Sequence, residues 1–160
     1  MKATVLICIG LFAYILFKER SNRKLKKEEE KTKDELKKIS VNNTILLDWL
    51  SIKQANINLE KYLSENKITQ VAVYGYGILG KAFLNELKNS SISVSCVIDK
   101  NFKNIKCTPD AIGLDSIPDV DAIVVCAVNY YDEISDELHR YTKNTIISLE
   151  DIIYGVSIYE

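Results

Sequence analysis

Three glycines, Gly75, Gly77 and Gly80, stand in the stretch VAVYGYGILGKAFL and fit the spacing G-x-G-x-x-G. That spacing carries meaning where it joins a strand to a helix. Here the apolar run Gln70–Tyr74 precedes it. Residues 78–88 follow, with Leu79, Phe83, Leu84 and Leu87 at helical spacing. In such a turn Gly75 permits the tight bend, Gly77 lets a phosphate approach the backbone, and Gly80 permits close helix–strand packing. The free N–H groups of the helix N-terminus then face the anion. Asp99 ends the second apolar run, Ser93–Ile98. A carboxylate about twenty residues past the turn is placed to accept hydrogen bonds from the two hydroxyls of a ribose, and it repels a 2′-phosphate. Lys100 beside it weakens that repulsion. The expected binding set is Gly75, Tyr76, Gly77, Ile78, Leu79, Gly80, Asp99, Lys100 and Asn129. The ligand this set predicts is a nucleotide-type small molecule, NAD or a nucleotide sugar, with NADP disfavoured.

Asn129 and Tyr130 follow the apolar run 121–128 and fall at the carboxyl edge of the expected sheet, where ligands of such folds bind. Asn129 is placed either to donate to a base or sugar or to cap the following helix. Acid/base machinery is not evident. The single histidine, His139, sits beside Arg140 near the end of a helix, away from the crevice edge, and reads as a surface residue. Tyr76, Tyr130 and Tyr131 each lack a lysine four residues on. Hydride transfer needs a substrate pocket and a proton partner, and neither is legible, so no catalytic residue is assigned. Cys8, Cys96, Cys107 and Cys126 form no C-x-x-C pair, so no zinc site is expected. Cys96 and Cys126 lie within apolar runs and read as small core residues in a reducing compartment.

The elements that must position these residues alternate. Strands at Gln70–Tyr74, Ser93–Ile98, residues 121–128 and Thr145–Ser148 are separated by helices at 78–88 and 131–141 and by an irregular stretch at 101–118. Alternation of this kind predicts an α/β fold: a Rossmann-like parallel sheet with right-handed crossovers and flanking helices. Four segments are expected along the chain. Residues 1–20 are an apolar helix, 21–40 a charged helical spacer, 41–67 a helical lead-in packed on the main domain, and 68–160 the nucleotide-binding domain. Residues 3–17 are uncharged and would make a helix of about 22 Å. Lys2 and Lys18 can snorkel to lengthen it. Lys18, Arg20, Arg23, Lys24, Lys26 and Lys27 follow the run, which places the C-terminal domain in the cytoplasm behind a single-pass membrane anchor. In the spacer, Glu29–Lys33 and Asp34–Lys38 are i,i+4 pairs. Its large apolar residues are Leu25, Leu36 and Ile39, too few for coiled-coil heptads, so a solvated helix is expected. Ile45, Leu46, Trp49, Leu50 and Ile52 form a packing stripe, and Asn58 is placed to cap a second short helix. A net charge of −1 argues against a nucleic-acid partner.

The stretch VAVYGYGILGKAFLNELKNSSISVSCVIDKN resembles small nucleotide-binding domains of bacterial surface-polysaccharide and glycan biosynthesis. These include the N-terminal domains of sialic-acid O-acetyltransferase-type sugar acetyltransferases and of polysaccharide epimerase/dehydratases. Gly75, Gly77 and Gly80 match the family's turn and Ile98–Asp99 its strand end, while Lys100 replaces a second aspartate. The resemblance covers roughly residues 71–149. It implies a binding module in cell-envelope glycan assembly that works with a partner glycan enzyme or as a homo-oligomer. Hexapeptide repeats for the acetyltransferases' catalytic β-helix are absent. The alternatives are a minimal NAD-dependent oxidoreductase or epimerase subunit, and a ligand-free interaction scaffold.

Overall fold

The computed structural model describes residues 2–156, with side chains from Phe17 onward. The chain divides into two units, Met1–Ser40 and Val41–Glu160. Helix α1 (Lys2–Gln54) runs through the apolar segment, the charged spacer and the first part of the lead-in as one element. In the first unit, i,i+4 pairs line the helix: Arg23–Glu19 at 3.3 Å, Lys33–Glu29 at 2.8 Å and Lys38–Asp34 at 2.6 Å. Each such pair contributes a few tenths of a kcal/mol, about 0.3–0.5. The membrane expectation rests on residues 3–17, whose side chains up to residue 16 lie outside the described set. Among the described residues no helix is long and apolar enough to cross a membrane.

The second unit is an α/β domain. Its elements after α1 are α2 (Glu60–Glu65), β1 (Gln70–Tyr74), α3 (Ile78–Leu87), β2 (Ser93–Ile98), β3 (Ala111–Ile112), β4 (Ala122–Val125), α4 (Tyr131–Leu138), β5 (Thr145–Ser148) and α5 (Leu149–Gly155). The five strands form one sheet in the order β3-β2-β1-β4-β5, and every adjacent pair is parallel. Tyr74, Ile98, Val125 and Ser148 therefore stand in one row at the carboxyl edge. The chain builds outward from β1 through β2 to β3, then returns to the other side of β1 to lay down β4 and β5. The order reverses between β1 and β4.

Strand residues alternate between two cores, as a period of two requires. Val71, Val73 and Val124 pack with Leu79, Phe83, Trp49, Ile52, Leu63 and Ile152 on one face. Ala72, Tyr74, Ile98, Ile123 and Val125 pack with Ile134 and Leu138 on the other. β4 is buried along its whole length, as a parallel strand covered on both faces must be. Cys96 and Cys126 are buried within these cores, as expected. Burial alone pushes the Cys96 thiol up to about 11 and the Cys126 thiol well above its ordinary range.

Several local expectations need correction. Asn58 does not cap α2; Leu59 holds the N-cap position, and the Asn58 carboxamide oxygen accepts from the Lys53 ammonium at 2.5 Å. Leu50 faces out, 52% exposed, because Ile45, Trp49 and Ile52 already fill the face of α1 that packs in the core. The apolar run 121–128 is a strand only over Ala122–Val125; Val128–Tyr130 turn into a 3-10 helix. The irregular stretch supplies the two-residue strand β3, too short to show an alternating pattern.

At the opposite edge of the sheet one Asp121 carboxylate oxygen accepts from the Thr69 N–H at 2.8 Å, the Thr69 hydroxyl at 2.8 Å and the Gln70 N–H at 2.9 Å. These bonds tie β1 to β4 and hold the carboxyl below its usual range, the Thr69 backbone bond most of all. A depressed carboxylate stabilises the fold at pH above its unfolded value, ~3.9, and that contribution disappears as pH falls through the lower folded value. Urea midpoints measured between pH 6 and 2 are expected to fall more steeply for the wild type than for Asp121→Asn. The single tryptophan meets Phe83 edge-on with ring centroids 6.4 Å apart. Phe83→Ala is expected to cost about 3–5 kcal/mol in urea unfolding followed by Trp49 fluorescence, because the site is fully buried.

Candidate functional site

The turn between β1 and α3 is shaped by two glycines for different reasons. Gly75 adopts φ +95°, a conformation that side-chain-bearing residues rarely take. Its N–H donates to the Ile98 carbonyl at 2.8 Å and locks the turn to the end of β2. Gly80 has no room for a side chain: a Cβ there would stand 1.9 Å from the Gly75 carbonyl oxygen. The first turn of α3 is thus seated directly on the bend. Gly77 is the N-cap of α3, and no side chain caps that helix. A Cβ on Gly77 would meet nothing within 4 Å, so the space above it is open. The leading N–H groups of a helix, here those of Ile78, Leu79 and Gly80, lack intrahelical acceptors and point into that space.

Asp99 joins the turn from β2. Its Oδ2 accepts from the Tyr76 N–H at 2.9 Å, and its Oδ1 accepts from the Asn101 N–H at 2.8 Å. An ionised carboxylate has about four acceptor sites, so each oxygen retains capacity for a ligand hydroxyl. The Tyr76 ring lies under the Lys81 ammonium, 4.9 Å from the ring centroid. Ile78 is 75% exposed at the start of α3, and Leu79 is buried in the core below it.

Two clefts adjoin the turn. The first, about 290 Å³, is lined by Tyr74, Gly75, Asp99 and Lys100 on one side and by Tyr130, Glu133, Ile134 and Glu137 on the other. The second, about 200 Å³, is lined by Gly75, Gly77, Ile78 and Leu79 and by Val128, Asn129 and Asn42. Gly75, Ala127 and Tyr130 border both. Seven of the nine expected residues thus line one cleft or the other, and Tyr76 and Gly80 line neither. Leu79 contributes from a buried position, and Gly80 acts only by letting the turn close.

Charge in the first cleft is largely internal. The Lys100 ammonium meets Glu137 at 2.8 Å, and that bond holds its pKa above the ordinary lysine value. Lys100 is thereby paired with α4 across the cleft. Burial raises the Tyr74 hydroxyl above its usual range, so it stays a neutral phenol. Cys126 borders the second cleft but is buried and held protonated, unsuited to act as a nucleophile. Among the described residues no group of three His, Cys, Asp or Glu is arranged to hold a metal ion. His139 follows α4, exposed, with Nδ1 2.7 Å from the Ser135 carbonyl oxygen.

Asn129 does not cap α4. Tyr130 occupies the N-cap position, and the Asn129 amide donates instead to the Asn42 side-chain oxygen at 3.0 Å. Asn42, near the end of α1, was not legible as a site residue, because nothing in its local pattern sets it over a turn more than thirty residues on. The α4 wall was legible in principle: Tyr130, Glu133, Ile134 and Glu137 recur at three- and four-residue spacing, one face of a helix. No family model, curated protein or solved structure matches this chain.

The two glycines separate in a simple experiment. Gly80→Ala is expected to destabilise the fold by about 1–3 kcal/mol or more, since its methyl group meets fixed backbone. Gly77→Ala, in open space, is expected to stay within about 0.5 kcal/mol of wild type. Thermal or urea unfolding of both variants provides the check.

Proposed function

We propose that residues 41–160 form a Rossmann-like binding domain for a nucleotide whose ribose carries free 2′ and 3′ hydroxyls, NAD or a nucleotide sugar. One observation carries this reading. Both clefts border Gly75 and Ala127, the residues following β1 and following β4, the two strands between which the sheet order reverses. In open parallel sheets, ligands bind at that reversal, outside the carboxyl ends of the strands. The order β3-β2-β1-β4-β5 agrees with the first five strands of the dinucleotide-binding arrangement. Under this reading a diphosphate lies over Gly77 and the N-terminus of α3, and Asp99 accepts the ribose hydroxyls. The base occupies the Tyr74–Ile134 cleft. The group beyond the diphosphate enters the smaller cleft beside Asn42 and Asn129.

The same reading places this domain at the inner face of a membrane, held by residues 3–17, as a module of cell-envelope glycan assembly. Its support is the uncharged run followed by six basic residues within Lys18–Lys27, together with the resemblance of the turn and of Ile98–Asp99 to glycan-biosynthesis domains. The module holds its ligand for a partner enzyme, since the clefts present no acid/base pair beyond Asp99 and the Glu133–Glu137 wall. A ligand-free scaffold is the second reading. It is favoured by the Asn42–Asn129 bond, which satisfies two polar groups of the smaller cleft without any ligand.

Thermal unfolding of the full chain in detergent, with NAD, NADP or a UDP-sugar, tests the proposal. A bound ligand at a hundredfold excess over Kd is expected to add about 2.7 kcal/mol of stability. NAD is expected to stabilise more than NADP, and Asp99→Asn to narrow that difference by removing the charge that repels the 2′-phosphate. An absence of stabilisation by any nucleotide ligand would favour the scaffold.

A further inference from the structure

The larger cleft contains a polar group that the fold does not use. Tyr74 ends β1, is 5% exposed and lines that cleft. Among the described residues nothing donates to its hydroxyl or accepts from it. No fully buried side-chain oxygen or nitrogen among them lacks a partner, so this hydroxyl opens on the cleft. A buried phenol ordinarily finds a hydrogen-bond partner within the fold. Here the partner is left for a ligand. The charges of Lys100, Glu137 and Asp99 all reach the hydroxyl, so it stands between the two walls. Three carboxylates line the cleft, Asp99, Glu133 and Glu137, against one ammonium, Lys100, which Glu137 holds at 2.8 Å. Glu133 makes no hydrogen bond or ion pair among the described residues. The cleft therefore offers a neutral hydroxyl and an unpaired carboxylate, beside the buried apolar side chain of Ile134.

That pair of groups separates the bases. An ionised carboxylate only accepts, whereas a phenol can donate. Adenine carries an amine donor beside a ring-nitrogen acceptor. Uracil carries its N–H between two carbonyl oxygens, so a carboxylate that accepts from it is set against both, a repulsive element that selects against the wrong ligand. We infer that this cleft reads the base, with Tyr74 donating to a ring nitrogen of adenine and Glu133 accepting from its exocyclic amine. The inference rests on the nucleotide reading above and chooses within it. The ligand carries adenosine diphosphate, as NAD or an ADP-linked sugar does, and is not a UDP-sugar. The glycine turn and Asp99 hold what all such ligands share, and Tyr74 with Glu133 sets which of them is held.

Calorimetric titration of the full chain in detergent with ADP, inosine diphosphate and UDP tests it. The three share ribose and diphosphate. Inosine diphosphate keeps the purine and replaces the amine with a carbonyl, so it separates amine recognition from ring size. ADP is expected to bind at least about tenfold more tightly than either of the others, the cost of one unmade hydrogen bond to a charged group. Glu133→Gln gives the wall an N–H donor, and is expected to weaken ADP while strengthening inosine diphosphate and UDP. Tyr74→Phe is expected to weaken ADP several-fold. Without ligand both variants are expected to unfold at the wild-type temperature, since neither group is bonded within the fold. NAD and ADP-glucose, titrated alongside, distinguish the two sources of the adenosine diphosphate, and either one bound as tightly as ADP supports the inference. Inosine diphosphate or UDP bound as tightly as ADP overturns it and leaves the nucleotide reading standing, as does an unchanged preference for ADP in Glu133→Gln. Binding of none of the three overturns both.

Discussion

The approach of Gly80 to the Gly75 carbonyl is the constraint on which the rest of the domain depends. A methyl group at position 80 would stand 1.9 Å from that oxygen, so α3 can begin where it does only because position 80 is glycine. The consequence propagates in two directions. Downward, it sets Leu79 and Phe83 against Val71, Val73 and Val124, and Phe83 in turn receives the edge of Trp49. Upward, it aims the uncapped N-terminus of α3 across the carboxyl edge of the sheet. One steric allowance thus links core packing to the placement of the α3 N-terminus.

Asp99 is the second half of that arrangement. Its carboxylate receives the Tyr76 N–H and the Asn101 N–H, so it tethers the glycine turn to the loop after β2 while standing at the mouth of the larger cleft. A carboxylate can accept more hydrogen bonds than these two N–H groups supply, so the tether leaves acceptor capacity at the cleft mouth. Lys100 is paired differently. Its ammonium is held by Glu137 at 2.8 Å, across the larger cleft from the glycine turn.

The parts of the fold written in local pattern were legible in the sequence. Continuous apolar runs marked β1, β2, β4 and β5, and the 3.6-residue stripe of Leu79, Phe83 and Leu87 marked α3. Features made by distant chain segments were not. β3 is two residues long and owes its existence to pairing with Val97 and Ile98. Asn42 reaches the smaller cleft only because the end of α1 packs on the sheet through Ile45, Trp49 and Ile52. Asn129 had the sequence position of a helix cap, yet its amide found a partner 87 residues away. Local chemistry predicted which residues surround the turn, and tertiary packing decided how two of them, Lys100 and Asn129, are paired.

The central claim is that a nucleotide rests on the N-terminus of α3 with its ribose at Asp99. Its most direct test is a titration of the isotope-labelled full chain, in micelles, with NAD and with a UDP-sugar, followed through backbone amide resonances. The account predicts that the amides of Gly77, Ile78, Leu79 and Asn101 shift together and saturate at one common Kd for the ligand that binds. Saturable shifts confined to other residues, or none at these four with either ligand, would contradict it.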